Sequence, residues 1–224
     1  MIAEGATAVL LVFAALFPIV NPLGMAPIFA TMTADATPDT RRVLARAVAT
    51  NGFVLLLVSF FAGSYVLAFF GLQVPAVQVA GGLIVTASGW RLLTQETLDA
   101  ARRATAEREA DRAVLGRAFY PLTMPLTVGP GSIAVAVTLG TDSRATRAPL
   151  RIELAQDLGA IIGIALVAGT ILVSFRSANR LGALLGETGM SVFMRLSAFI
   201  LVCIGIQITW NGVSGLLASV TSAT

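Results

Sequence analysis

The sequence predicts an all-α polytopic membrane protein: six transmembrane helices as a 3+3 inverted-topology repeat, with spans 1 and 4 broken at Pro/Gly segments. Three observations predict it. The 224 residues are 56% hydrophobic and 12% charged, with a mean hydropathy of +0.86, whereas soluble chains carry about a quarter charged residues. The apolar residues gather into runs of about 20, the length of helix that crosses a hydrocarbon core. A proline-rich segment occurs twice, once in each half of the chain.

The first span covers roughly 6–30. It reads as a span and not as a cleavable signal peptide, because its first residues carry Glu4 and no Arg and its apolar stretch outruns a signal core. Spans 2 and 3 cover roughly 47–70 and 74–93. The longest polar interruption follows at 94–117, with Arg102, Arg103, Arg108, Arg112 and Arg117 among Glu107, Glu109 and Asp111. Mixed-sign runs are usually solvated faces, so this reads as a partly helical loop in preference to a basic ligand-binding loop. Spans 4, 5 and 6 cover roughly 118–140, 155–175 and 192–217. The chain is then one transmembrane domain, 1–224, with repeat 1 at about 1–93, a loop at about 94–117 and repeat 2 at about 118–217.

Arginine counts orient the spans. The connections after spans 1, 3 and 5 carry Arg41, Arg42 and Arg46, then Arg91 to Arg117, then Arg176 and Arg180. The opposite side holds Arg144, Arg147 and Arg151. The positive-inside rule places the long loop in the cytoplasm and both termini outside. Arg195 opens span 6 on the cytoplasmic side, where a long side chain can snorkel to the interface.

The repeat carries the functional argument. Phe17 to Pro27 (FPIVNPLGMAP) aligns without gaps on Tyr120 to Pro130 (YPLTMPLTVGP), and all three prolines recur at an offset of 103. Only nine prolines exist in the chain, so six in one register is a strong coincidence to explain. Each half contributes three spans, an odd number, so the second half enters the membrane upside down. Weaker echoes are Asn51 with Asp157, Gly63 with Gly169, and Gly82 with Ala198.

Proline removes a backbone donor and collides with the carbonyl four residues earlier. Three in ten residues, with Gly24 in one segment and Gly129 and Gly131 in the other, should break each helix. In hydrocarbon, such a break is tolerated only inside protein or beside a water-filled cavity. Freed N–H groups and the positive ends of the following half-helices suit an anion, and freed carbonyls suit a cation. Asn21, Pro22, Leu23, Gly24, Thr123, Thr127, Gly129, Gly131 and Ser132 are therefore the candidate substrate-binding residues for a small zwitterion. The polar side chains among them have a competing role, satisfying the freed backbone. Asp157, the one acid near a span, is the candidate ammonium or proton site, with an interfacial helix-end acid as the alternative. Gln78, Gln207 and Asn211 read as interhelical hydrogen bonds, and Gly81, Gly82, Gly159 and Gly163 as sites of close helix contact.

Composition excludes much chemistry. There is no histidine, and every basic residue is Arg. His triads, His relays, His-ligated metals, Schiff bases and Ser–Lys dyads are out. The lone Cys203 allows no internal disulfide or CxxC pair and reads as a small buried residue. No catalytic or metal site is expected, and no cofactor. The net charge of +3 comes from scattered arginines with few aromatics among them, which does not make a nucleic-acid surface.

Four stretches together resemble the MarC family of six-span bacterial membrane proteins. They are FPIVNPLGMAPIF at Phe17 to Phe29, FGLQVPAVQVAGGL at Phe70 to Leu83, PLTVGPGSI at Pro125 to Ile133 and RLSAFILVCIGIQITWNG at Arg195 to Gly212. They span nearly the whole chain in the family's order. Two departures are Ser197-Ala198, where a glycine is expected, and the arginine-rich loop. The resemblance implies a multi-pass protein of the bacterial inner membrane with both termini outside. It also implies kinship with the SnatA group, transporters of small neutral amino acids such as glycine and alanine. The resulting expectation is a secondary transporter working by alternating access, export being one form of it, with the bilayer and small neutral amino acids as partners. Na+ or H+ coupling and assembly into a homo-oligomer are both compatible with this reading. A channel or exporter for another small metabolite, an intramembrane enzyme and a structural membrane protein are the rivals.

Overall fold

The structure, a computed structural model, describes residues 2–94, 118–145 and 149–221, so most of the predicted long loop lies outside the described residues. The described chain is helical nearly throughout. α1 (Ile2–Val20) and α2 (Pro22–Met32) form one interrupted rod, followed by α3 (Pro38–Phe69) and α4 (Val74–Leu93). In the second half come a distorted segment, α5 (Ala118–Thr127), then α6 (Pro130–Ala145), α7 (Leu150–Arg176) and α8 (Ala178–Thr221). Among the described residues, five stretches are long and apolar enough to cross a membrane: Ala3–Met32, Pro38–Phe69, Val74–Leu93, Leu150–Arg176 and Thr188–Ser219. The remaining predicted span, span 4 at 118–140, is divided between α5 and α6, so neither piece reaches that length alone.

Local signals explain the helix starts. Thr37 caps α3 by accepting from the Thr40 N–H at 3.2 Å, with Pro38 at the first position, where its missing N–H costs nothing. Gly71, at φ 65°, turns the chain between α3 and α4. Helix α3 begins before the predicted span because polar Asp39, Arg41 and Arg42 suit a helix end outside the hydrocarbon as well as a loop. In α8 the backbone leaves helical geometry at Gly186, with φ 64° and ψ 179°. Helix α6 runs on to Ala145 and so includes Asp142, a second acid at a span end that the sequence reading passed over.

The core lies between the two halves. Leu16, Val20, Ile28 and Phe29 from α1–α2 meet Leu44, Val48, Leu56 and Phe60 from α3 and Ile164, Ile171 and Phe175 from α7, all essentially buried. Phe29 stacks on Phe175 with centroids 4.4 Å apart. Packing pairs α1 with α7, α3 with α6 and α7, and α4 with α8 and α6, while α2 touches α7 and α8.

Small residues set how close these helices come. Helices α4 and α8 run antiparallel, since Gly89 faces Val202 and Gly212 faces Val79. A methyl group at Gly82 would stand 2.7 Å from the Gly205 carbonyl, and one at Gly205 would stand 2.8 Å from that of Gly82. Thr86 and Thr209 back-bond to those same two carbonyls at 2.8 and 2.9 Å. Helices α1 and α7 are parallel and equally close: Gly5 abuts the Ala155 carbonyl, and Gly163 abuts that of Val9. Gly81, Gly82, Gly159 and Gly163 thus all sit at close helix contacts. Gly63 packs on Val137, but Gly169 has nothing within 4 Å, so this pair of the sequence echo does not share an environment.

Two expectations need correction. Gln207 donates to Asn211 at 2.9 Å along one exposed face of α8, an i,i+4 pair and not an interhelical bond. Cys203 is exposed and not buried, because it lies on a face of α8 that the described residues leave uncovered. Leu10, Phe69, Trp90, Leu158, Val173 and Leu196 are likewise exposed around the bundle. So many apolar side chains facing outward are what a hydrocarbon solvent would cover.

Candidate functional site

Both proline segments interrupt their helices, by different means. At the first, the chain breaks at Asn21, which adopts the left-handed conformation at φ 46° and ψ 55°. Asparagine tolerates this better than most residues because its short amide bonds locally. Here Asn21 Oδ1 accepts from the Gly24 N–H at 3.2 Å, and its carbonyl accepts from Met25 N–H at 3.0 Å. The carboxamide lies so close over the first turn of α2 that a methyl at Gly24 would be 2.8 Å from Asn21 Cγ. The chain itself therefore occupies the N-terminus of α2.

At the second segment the helix is loosened before it breaks. Tyr120 and Met124 leave helical geometry, and Met124 is the residue that aligns with Asn21. Prolines at 121, 125 and 130 withhold three donors, and hydrogen bonds slip by one residue, with the Val128 N–H bonding the Thr123 carbonyl at 2.8 Å. Thr123 and Thr127 donate to the carbonyls of Ala118 and Leu122, five residues back, at 2.6 and 2.7 Å. Ser132 donates to the Gly129 carbonyl at 2.9 Å. All three hydroxyls are buried and repair the backbone, the competing role foreseen for them. Thr123 is also reached by Asn51 Nδ2 from α3 at 3.5 Å, the long limit of a hydrogen bond.

A cavity of about 350 Å³ opens where the second break meets the rest of the bundle. Thr127, Gly129, Gly131 and Ser132 form one side of it, at the N-terminus of α6. Ile19 and Met25, either side of the Asn21 break, form another. Helix α4 adds Val85, Ser88 and Arg91, and α8 adds Leu201. The walls are mostly aliphatic, and among the described residues the one charged side chain lining them is Arg91.

The candidates therefore divide. Thr127, Gly129, Gly131 and Ser132 share the cavity, while Asn21, Pro22, Leu23, Gly24 and Thr123 do not line it. Leu23 is partly exposed, and Pro22 and Gly24 are packed in the protein. Asp157 is half-buried on α7 and lies outside the lining. Gly131 has a packing role too, since Val85 of α4 fills the space a side chain would need. Ser88 and Arg91 were not among the sequence candidates. Arg91 is legible only as one more basic residue at a span end, and nothing in its spacing says that α4 brings it to the break.

Comparison with known proteins identifies a family of membrane proteins. The family described as MarC family integral membrane protein matches residues 6–217. The inner membrane protein MarC of Escherichia coli strain UTI89 is 32% identical over 203 residues, covering 88% of this chain and 90% of that protein. The inner membrane protein MarC of Shigella flexneri matches with the same identity and coverage. No solved structure matches the chain.

Proposed function

The chain belongs to the MarC family of integral membrane proteins and is a multi-pass protein of the inner membrane, and from that premise we propose that it is a secondary transporter of small neutral amino acids. The observation that carries this reading is the 350 Å³ cavity at the second helix break. Its size suits a small solute. The positive end of α6, together with Arg91, suits a carboxylate. Pro130 has no N–H to offer the Leu126 carbonyl, and a carbonyl freed at such a break would suit an ammonium group. Aliphatic walls, and the lack of a lining carboxylate among the described residues, favour a short neutral side chain over a cationic one.

The six-span inverted repeat is part of the proposal, and the packing supports it. Exchanging the halves maps the α1–α7 contact onto α5–α3, the α2–α7 contact onto α6–α3 and the α4–α6 contact onto α8–α2, while α3–α7 and α4–α8 map onto themselves. The mutual contacts of Gly82 and Gly205 have the same two-fold character. In an inverted repeat, substrate sites lie at the interface between the halves, near discontinuous helices, and rocking of one half against the other gives alternating access. With the arginine-rich ends in the cytoplasm, both termini are outside. The protein on this reading carries its substrate unchanged, by itself or within a homo-oligomer, with Na+ or H+ as the coupling ion.

The test is counterflow of labelled alanine and glycine in liposomes containing the purified protein, with and without a Na+ or H+ gradient. Saturable counterflow is expected, and the gradient that accelerates uptake names the coupling ion. Flux that does not saturate and shows no counterflow would make the protein a channel. Absence of flux from correctly inserted protein would remove the amino-acid assignment and return the structural reading.

A further inference from the structure

A second recess, of about 600 Å³, lies at the arginine-rich end of the bundle, between the start of α3 and the junction of α7 with α8. Arg41, Arg42 and Arg46 line it from α3, and Arg176 and Arg180 from the junction. These five come from opposite halves of the chain and converge only through the fold. Phe175 gives the recess an apolar base, fully buried and stacked on Phe29.

Among the described residues, little neutralises this group. Arg42 is paired with Asp39 at 3.0 Å on the exposed surface, and Arg41 Nη2 donates to the Thr33 carbonyl at 2.7 Å. Arg41 Nε is buried and has no acceptor. Among the described residues, Arg46, Arg176 and Arg180 have no ion pair. Arg176 stands in the last turn of α7, where a cation suits the helix dipole. Arg180 stands in the first turn of α8, which contains no acid, and there the dipole opposes a cation. Such a cluster holds unfavourable charge that an external anion would relieve.

We infer that this recess binds a phosphate-bearing anion, at the depth where an anionic phospholipid presents its head group. Guanidinium forks match phosphate oxygens in pairs, which a cluster of point charges would not do. The recess lies at the membrane-surface ends of two apolar helices, α3 and α7, and basic pockets between such helices take phospholipid head groups. Free phosphate shares this chemistry without the acyl chains. The inference does not depend on the transport assignment, because none of the five arginines lines the cavity at the second break.

The experiment measures lipid retention by native mass spectrometry and melting temperature for the purified full-length protein. The additions are phosphatidylglycerol, phosphatidylcholine or inorganic phosphate, with chloride at equal ionic strength as control. Phosphatidylglycerol is expected to be retained at least about fivefold over phosphatidylcholine and to raise the melting temperature. That preference should weaken as salt rises toward about 0.5 M, where screening acts within a few Å. The double variant Arg46→Gln/Arg180→Gln is expected to lose the preference while its melting temperature without lipid stays level or rises. Protection by inorganic phosphate equal to that by the lipid would support the phosphate site and assign it to a soluble anion. No preference and no phosphate protection in the wild type would overturn the inference, as would an unchanged preference in the double variant. If the double variant does not insert, Arg180→Gln alone and the salt series on the wild type decide in the same way.

Discussion

Asn21 shows how one residue resolves a broken helix inside a membrane. Its left-handed backbone ends α1, its carboxamide caps α2, and the missing side chain of Gly24 makes room for that carboxamide. Asn21→Ala should therefore lower stability by about 1–2 kcal/mol, from the lost cap and the strained conformation together. Melting in detergent would check this, with Asn21→Gly expected to recover the conformational part. Gly24→Ala should destabilise the wild type, and much less so the Asn21→Gly background, where no carboxamide stands in the way. Equal penalties in the two backgrounds would separate the glycine from the cap. At the cavity, Arg91→Gln is expected to raise the KM for alanine about tenfold or more with little change in maximal rate, the effect of removing one charge-assisted hydrogen bond. Unchanged counterflow kinetics would exclude Arg91 from substrate binding.

At the scale of elements, the antiparallel pair α4–α8 depends on glycines that meet the opposite backbone. Gly82→Leu and Gly205→Leu should each push the helices apart and lower the melting temperature by similar amounts, because their contacts are mutual. Gly169→Ala is the control. Its site on α7 is open, so exchanging glycine for a better helix former should be neutral or stabilising by up to about 1 kcal/mol. A large loss at Gly169, or a marked asymmetry between Gly82 and Gly205, would contradict the packing described. The sequence announced Gly82 as a contact residue, but neither its partner nor Gly205. The two broken helices were legible as well, since three prolines in ten residues remove donors whatever the surroundings. How each break is repaired was not legible. Asn21 and Met124 occupy equivalent positions, yet one caps with its amide and the other is flanked by Thr123 and Thr127, which bond five residues back.

For the whole molecule, the arginine distribution predicts sidedness that single-cysteine labelling can read. Because Cys203 is exposed on a face of α8 that the described residues leave uncovered, Cys203→Ala should fold normally and serve as the background. A cysteine at Ala3 is then expected to react with an impermeant reagent from outside intact cells, and one at Arg42 only after permeabilisation. The reverse pattern would invert the topology and move the recess of arginines to the outer face. The sequence by itself determined the solvent of this protein, the apolar stretches that become its helices, the two breaks, the excluded chemistries and the family. Each of these follows from composition or from donors that proline lacks, which are local properties. Only the tertiary structure decided that Thr127 and Ser132 share a cavity with Arg91 while Asn21 does not line it, and that five arginines from opposite halves meet. Such neighbours depend on helix rotation and crossing, which are set by glycines meeting a partner backbone from elsewhere in the chain, and no local pattern records which partner that is.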